Sequence, residues 1–251
     1  MLEFCDISVS VGKKHILNKI SFSLRPHTVT ALVGRNGSGK STLLACVNQQ
    51  IRFRGQVMDQ QRNLAQLSPR ERAKRIAILP QYIPMPHILV KDMVAFGRNP
   101  YLDFTGRLTD TDWQMVAQAM ADANVLSAAN QFVDTLSGGE RQRAALAMVL
   151  AQNTPLLLLD EPTAHMDKNY EAEFLRHLVQ LKQSREKTIL VVLHDLAAAV
   201  AYADDIAVLD NGNLCFIGSK ETCLEQEILE KTFSLKRYTA EGKVFFSARE
   251  N

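Results

Sequence analysis

Residues 34–41 constrain the fold of this chain more than any other segment. They read GRNGSGKS and fit the pattern G-x-x-x-x-G-K-[ST] of a phosphate-binding loop. The apolar residues 29–33 before the loop predict a buried strand, and residues 42–47 after it predict the start of a helix. A strand that turns sharply into a helix directs several backbone N–H groups and the positive end of the helix dipole at one point. The segment therefore predicts a nucleoside triphosphate site.

The residue types within this loop indicate separate roles. Its glycines allow the backbone to wrap closely around a polyphosphate. Lys40 is expected to reach the β- and γ-phosphates, and the Ser41 hydroxyl is expected to hold Mg²⁺. The predicted nucleotide contacts of the loop are Gly34, Arg35, Asn36, Gly37, Ser38, Gly39, Lys40, Ser41 and Thr42.

The composition narrows the possible partners. The chain has 251 residues, of which 46% are hydrophobic, and this suits one or two domains with a substantial core. Its net charge of +2 provides no strong field for nucleic acid, so no nucleic-acid partner is expected. No signal-peptide pattern is present, and every apolar run is far shorter than the ~20 residues that span a bilayer. Any membrane role is therefore expected to depend on a partner.

The order of sequence patterns predicts an α/β fold. Alternating residues near the N-terminus predict antiparallel strands, and apolar runs predict buried strands at 76–79, 156–159, 188–193 and 206–209. Between them, residues 90–150 carry helical patterns. One helix is expected to bury Trp113, Val116, Ala117 and Met120. We predict a mainly parallel central sheet with an N-terminal antiparallel β subdomain, together residues 1–82 and 153–251, and an inserted helical subdomain, residues 83–152.

Two carboxylates follow the apolar run at 156–159. Ligands bind at the carboxyl ends of strands in open α/β sheets, and Asp160 and Glu161 stand at such an end. Asp160 is placed to hold Mg²⁺ through water. Glu161 is placed to polarise the water that attacks the γ-phosphate.

A second anion site is predicted at Ser137-Gly138-Gly139-Glu140. Ser137 and Glu140 form a capping-box pattern at the start of a helix. The two glycines remove side chains from the helix tip and expose its N–H groups.

At this point the residues resemble a known family, the ATP-binding cassette (ABC) ATPases. Residues 136–140, LSGGE, are similar to the family's signature motif, just upstream of the acidic strand. Gln81 resembles the family's glutamine that touches Mg²⁺ and the attacking water. Residues 164–167 resemble the D-loop, which includes Asp167. His194 resembles the switch histidine at the γ-phosphate. The resemblance covers essentially the whole chain and implies the fold of a P-loop NTPase of the ABC cassette type.

The resemblance also implies a homodimer. Two copies would sandwich two ATP molecules head to tail, each between Lys40 of one copy and Ser137, Gly138 and Gly139 of the other, with Glu140 and Asp167 beside the nucleotide. Glu140 replaces the more frequent glutamine, a change that the family tolerates. Val11 stands where the family usually stacks an aromatic ring on adenine, and Phe4 and His15 are alternative platforms.

Three segments, residues 97–102, 106–108 and 146–153, resemble the ATPases of bacterial iron–siderophore importers, whose relatives serve haem and vitamin B12. This implies an ATPase motor at the cytoplasmic face of the inner membrane, bound to permease subunits and acting indirectly with a substrate-binding protein. The permease contact is expected within residues 82–108. A soluble ABC ATPase, for example in iron–sulfur cluster assembly, remains an alternative and is distinguished by its partner.

Overall fold

The computed structural model describes residues 1–84, 86–164 and 166–248. Within these residues the chain forms twelve strands and nine α-helices. The strands are β1 (Leu2–Val11), β2 (Lys14–Ser23), β3 (Val29–Gly34), β4 (Arg54–Asp59), β5 (Arg62–Asn63), β6 (Ile76–Leu79), β7 (Leu156–Leu159), β8 (Thr188–Val192), β9 (Asp205–Asp210), β10 (Asn213–Ser219), β11 (Leu235–Ala240) and β12 (Lys243–Ala248). The helices are α1 (Lys40–Val47), α2 (Pro69–Ala73), α3 (Val90–Ala95), α4 (Asp110–Asp122), α5 (Gly138–Ala151), α6 (Lys168–Arg185), α7 (Leu196–Tyr202), α8 (Lys220–Glu225) and α9 (Ile228–Phe233).

The chain divides into two compact units, and the first combines Met1–Leu67 with Thr188–Asn251. Its core strand β3 pairs in parallel with β8 on one side and β9 on the other. Every residue of β3 and β8 is buried, which explains why both read as continuous apolar runs rather than as alternating patterns. The hairpin partner β10 then closes antiparallel on β9. This arrangement places the end of β3, and the loop that follows it, at the carboxyl edge of buried parallel strands.

The same unit holds the expected antiparallel strands. β1 pairs antiparallel with β2 and with β4, and β5 extends this sheet from β4. Leu2 and Phe4, and then Ile7 and Val9, are buried in β1, so the alternation expected for a sheet with one apolar face shifts by one residue at the irregularity between Phe4 and Ile7. A further hairpin, β11 with β12, stands apart from both sheets.

The second unit spans Ser68–Lys187. Its parallel strands β6 and β7 occupy the predicted positions, with Ile76 opposite Leu156 and Leu79 opposite Leu159. The described part of residues 83–152 is helical and contains α3, α4 and α5. Its separate status as a subdomain stays a prediction.

The predicted buried face of α4 is confirmed at Val116 and Met120 and wrong at Trp113 and Ala117. Trp113 is 41% exposed and Ala117 is also exposed, whereas Asp112, Val116, Ala119 and Met120 are buried. The helix turns Asp112 inward because its carboxylate accepts a hydrogen bond from Nε of the buried Arg98 at 2.9 Å. The buried face of α4 thus combines the apolar residues Val116, Ala119 and Met120 with one ion-paired carboxylate.

Among the described residues, no helix has both the length and the apolar character needed to cross a membrane.

Candidate nucleotide site

The phosphate loop has the backbone geometry that its sequence predicts. It leaves β3 at Gly34 and enters α1 at Lys40. Gly37 and Gly39 have φ of 77° and 103°, which are left-handed values that favour glycine. A side chain at Gly34 would collide with the Leu209 carbonyl oxygen and the Ser38 hydroxyl. The loop is thus closely packed behind, and its helix begins without a side-chain cap, at the end of the helix that favours anions.

Two polar groups of the loop fit a phosphate. The buried Lys40 ammonium donates to the carbonyl oxygens of Gly34, at 2.9 Å, and Arg35, at 3.3 Å, which holds the charge within the loop. The Ser38 hydroxyl oxygen is buried and has no hydrogen-bond partner among the residues that the structure describes. A phosphate oxygen can satisfy this hydroxyl and gain a charge-assisted contact with the lysine.

The acidic end of β7 lies in the second unit. The backbone N–H of the buried Asp160 donates to the carbonyl oxygen of Leu79 at 2.9 Å, which joins the ends of β7 and β6. The next residue, Glu161, has φ of 50°, a left-handed value that a non-glycine residue adopts at a cost of about 1–3 kcal/mol. Nε2 of Gln81 donates to Oε2 of Glu161 at 2.6 Å. The structure therefore brings together two residues that were assigned to the attacking water.

The side chains assigned to Mg²⁺ supply suitable ligand atoms. Ser41 offers a hydroxyl, Gln81 an amide oxygen and Asp160 a carboxylate, and Mg²⁺ prefers such hard oxygen ligands together with phosphates and water. Within the described residues, no group of three or more His, Cys, Asp and Glu side chains is arranged to hold a metal ion. The chemistry of the three donors thus fits Mg²⁺ bound together with phosphate oxygens.

The signature segment forms the predicted capping box at the start of α5. Ser137 accepts from the backbone N–H of Glu140, and Glu140 accepts from the Ser137 backbone N–H at 2.9 Å and hydroxyl at 2.6 Å. The hydroxyl contact is the main reason that the pKa of Glu140 is lowered. A Cβ on Gly138 would meet nothing within 4 Å. The carboxylate of Glu140 is therefore used within its own helix, while the face at Gly138 is open.

Two further expected site residues, Asp167 and His194, lie at or just before the start of a helix. Asp167 caps α6 and accepts from the backbone N–H groups of Asn169 and Tyr170 at 3.0 and 3.1 Å. His194 is exposed and lies just after β8, before Asp195 caps α7. His165, within the predicted D-loop, lies outside the described residues.

The structure separates the two alternatives for the adenine platform. Val11, the last residue of β1, is 69% exposed. Phe4 is 2% exposed and stacks on Phe22 with ring centroids 4.6 Å apart, so its ring is committed to the core. His15 is exposed, and its Nδ1 is 2.9 Å from the Ser10 hydroxyl oxygen. Only His15 of these alternatives presents its ring at the surface.

One contact of the loop carried no sequence signal. Nη2 of Arg35 donates to the carbonyl oxygen of Thr232 in α9 at 2.8 Å. The two residues are 197 positions apart and the acceptor is a backbone atom, so no residue type marks the partner.

Comparison with known proteins identifies relatives over most of the chain. The family model described as "ABC transporter" matches residues 17–164, which is more than half of the sequence. Petrobactin import ATP-binding protein YclP of Bacillus subtilis is 34% identical over 237 residues, covering 94% of this chain and 93% of that protein. Hemin import ATP-binding protein HmuV of Nocardia farcinica is 40% identical over 223 residues, covering 88% of this chain and 76% of that protein.

A solved ATP-binding cassette is similar in fold. It is a dimer in a post-hydrolysis state with bound ADP and phosphate, and it matches with a TM-score of 0.75 at 23% identity, covering 88% of this chain and 99% of its own. Together with the family match, this similarity confirms the predicted fold class.

Proposed function

Because this chain belongs to the family of ABC transporter ATPases, we propose that it is the ATP-hydrolysing subunit of a bacterial importer for iron–siderophore complexes. The observation that carries the cargo assignment is the similarity to a petrobactin import protein along nearly the full length of both chains. The resemblance of residues 97–102, 106–108 and 146–153 to siderophore-importer ATPases supports the same assignment.

ATP is the nucleotide of this family, and the loop from Gly34 to Thr42 is proposed to hold its phosphates. The Lys40 ammonium supports this assignment, as does the Ser38 hydroxyl, which has no hydrogen-bond partner in the described part of the chain. Ser41, Gln81 and Asp160 would hold Mg²⁺, which when bound neutralises charge on the β- and γ-phosphates. The loop belongs to the first unit, whereas Gln81 and Asp160 belong to the second.

Glu161 is proposed as the general base for hydrolysis. Its carboxylate can accept a proton from the attacking water, and the hydrogen bond from Gln81 fixes the orientation of that carboxylate. His194 is proposed to donate to the γ-phosphate. The exposed position of the histidine, two residues after the end of the core strand β8, supports this role.

A second copy of the chain is proposed to complete each ATP site. Ser137, Gly138 and Gly139 would face the γ-phosphate bound to the other copy, with Glu140 and Asp167 close by. The uncovered face at Gly138, at the tip of a fourteen-residue helix, supports this assignment.

The membrane partner is a permease, and the chain is proposed to lie peripherally at the cytoplasmic face of the membrane. The helical subdomain, residues 83–152, is proposed to dock on the permease through residues 82–108. Two aromatic side chains of this segment, Tyr82 and Phe104, are 79% and 99% exposed, which supports a contact there. A substrate-binding protein would deliver cargo to the permease without touching this chain.

A haem importer is a second candidate because the hemin import relative has the higher identity of the two. The two cargoes are distinguished with the intact complex of this chain and the permease that co-purifies with it. The complex is reconstituted in liposomes with its substrate-binding protein, and ATP-dependent uptake of ferric petrobactin and of haem is measured in parallel. Uptake of the siderophore supports the proposal. Uptake of haem alone reassigns the cargo, and a soluble scaffold in place of a permease contradicts an importer.

A further inference from the structure

The C-terminal hairpin, β11 with β12, has no role in the function proposed above. Strand β12 packs against α7, the helix that begins two residues after His194. A cavity of about 630 Å³ lies at this junction, and its wall includes Phe245 and Phe246 of the hairpin as well as His194. The hairpin is therefore a direct neighbour of the segment that carries the histidine assigned to the γ-phosphate.

The phosphate loop reaches the same cavity through Arg35, the second residue of the loop. The guanidinium lines the cavity, and its Nη2 donates to the carbonyl oxygen of Thr232 at 2.8 Å. Thr232 belongs to α9, and a single residue, Ser234, separates this helix from β11. One hydrogen bond thus ties the phosphate loop to the base of the hairpin.

The hairpin is itself anchored by one arginine in its first strand. Nε of Arg237 lies 3.0 Å from Oε1 of the buried Glu230 in α9, so the two side chains form an ion pair. Nη1 of the same arginine donates to the carbonyl oxygen of Leu224 in α8 at 2.8 Å. A two-stranded hairpin is marginally stable by itself. These polar contacts and the packing against α7 therefore determine where the hairpin lies.

Sheet pairing alone does not fix the switch histidine. Strand β8 is in register with β3 as far as Val192, and His194 lies two residues beyond that point with an exposed side chain. The hairpin provides a second connection between the two strand ends, because it packs on the helix after His194 and accepts the hydrogen bond of Arg35 at its base.

We propose that the C-terminal hairpin is a positioning element for ATP hydrolysis. Its packing against α7 holds His194 at the γ-phosphate, and Arg35 is a positioning residue that ties the phosphate loop to the same element. This inference rests on the role proposed above for His194. A small displacement of a group that acts on the transition state slows the reaction strongly. Loosening the hairpin should therefore lower the turnover rate more than it changes nucleotide binding.

The first test changes the hairpin and measures ATP hydrolysis by the full chain in nanodiscs with its co-purifying permease. Phe246→Ala removes a ring that lines the cavity, whereas Tyr238→Ala removes a half-exposed ring of the neighbouring strand outside it. We expect Phe246→Ala to lower kcat about five- to tenfold with KM for ATP changed less than about twofold. Tyr238→Ala should behave as the wild type does, and Phe246→Leu should recover most of the rate. Equal kcat values for the two alanine variants, both folded by circular dichroism, would overturn the proposal.

The second test concerns the link at Arg35. Methionine keeps much of the length of arginine but cannot donate to the Thr232 carbonyl oxygen, whereas lysine can. We expect Arg35→Met to lower kcat about three- to tenfold and Arg35→Lys to restore it. The affinity for ADP, which lacks the γ-phosphate, should stay within about twofold of the wild type in both variants. A matching loss of ADP affinity in Arg35→Met would show that this side chain holds the nucleotide directly, and it would contradict the proposed link.

A double-mutant cycle separates this inference from the function on which it rests. His194→Ala alone should lower kcat about 10²-fold or more, because it removes a donor to the γ-phosphate. Phe246→Ala added to His194→Ala should then lower kcat by less than about twofold, since the side chain that the hairpin positions is gone. The full effect of Phe246→Ala in that background would overturn the positioning role alone. Wild-type turnover in His194→Ala would refute the role of the histidine, and this inference with it.

Discussion

At the scale of single residues, Glu161 combines a left-handed backbone conformation with a short hydrogen bond from Gln81. Its left-handed φ directs the carboxylate toward Gln81, 80 positions earlier in the sequence, at 2.6 Å. A non-glycine residue keeps such a conformation only when its surroundings enforce it. The contact with Gln81, rather than the backbone conformation that Glu161 shares with Glu186 and Glu227, supports a functional role for this side chain.

Replacing Glu161 by Gln tests that role. The amide keeps the size of the side chain but cannot accept a proton, so ATP hydrolysis should fall about 10²- to 10⁴-fold while ATP binding is retained. The rate is measured by phosphate release and the binding by equilibrium titration. Glu225→Gln, at an exposed position, is the control and should hydrolyse ATP at the wild-type rate. Hydrolysis at the wild-type rate by Glu161→Gln would assign the base to another residue.

Val11 provides a second residue-scale prediction. Stacking of a base on an aromatic ring is worth about 1–3 kcal/mol, and valine lacks that surface. If the adenine lies over Val11, Val11→Tyr should tighten ATP binding by up to about tenfold and leave triphosphate binding unchanged. Fluorescence titration with both ligands measures the difference. Unchanged ATP affinity in Val11→Tyr, with weaker binding in His15→Ala, would identify His15 as the platform.

The sequence predicted some residue environments and missed others. The loop glycines and Lys40 follow a pattern in which backbone geometry dictates residue type, so their conformations were predictable. The burial of Phe4 depends on its stacking partner Phe22, which the alternation of β1 alone does not identify. The Arg35 contact with a backbone carbonyl leaves no trace in the sequence.

At the scale of elements, α4 buries one polar residue, Asp112, on an otherwise apolar face. Arg98 and Asp112 are both buried, and Arg98 also donates to the Ala151 carbonyl oxygen at 2.8 Å. An aspartate near a helix start normally indicates an exposed cap, and Asp112 indeed also accepts from Thr109. The sequence could not show that this carboxylate has a buried cation as a second partner.

Breaking this pair should destabilise the chain strongly. Removing one member of a buried ion pair costs about 3–5 kcal/mol, because the other charge is left without compensation. We expect Asp112→Ala to lower the free energy of unfolding by about that amount in urea denaturation. Asp110→Ala, an exposed position in the same helical turn, is the matched control and should have a small effect.

The loss of stability caused by Asp112→Ala should also depend on pH. The hydrogen bond from Thr109 is the main reason that the pKa of Asp112 lies below its usual value of 3.8, and Arg98 lowers it further. A carboxyl group with a lowered pKa in the folded state stabilises above its unfolded-state pKa, and this contribution is lost as pH falls through the folded-state value. The stability difference between wild type and Asp112→Ala should therefore shrink below about pH 4. A difference independent of pH would show that the charge of Asp112 is not responsible.

At the scale of the whole molecule, the sequence predicted the core better than the periphery. Strands β6 and β7 begin and end where their apolar runs do, because strands that are buried on both faces need continuous apolar residues. The C-terminal hairpin β11–β12 had no such signal, since most of its residues are exposed.

The central claim is that this chain is a motor that works with a permease. The most direct measurement compares its ATPase rate alone with its rate in nanodiscs containing the co-purifying permease. A permease that holds two copies of the chain side by side raises the effective concentration of one copy at the other. We therefore expect the ATPase rate in nanodiscs to be about tenfold higher, or more, than the rate of the chain alone. Glu161→Gln in the same nanodiscs should abolish the gain. Equal rates with and without the permease would contradict the account.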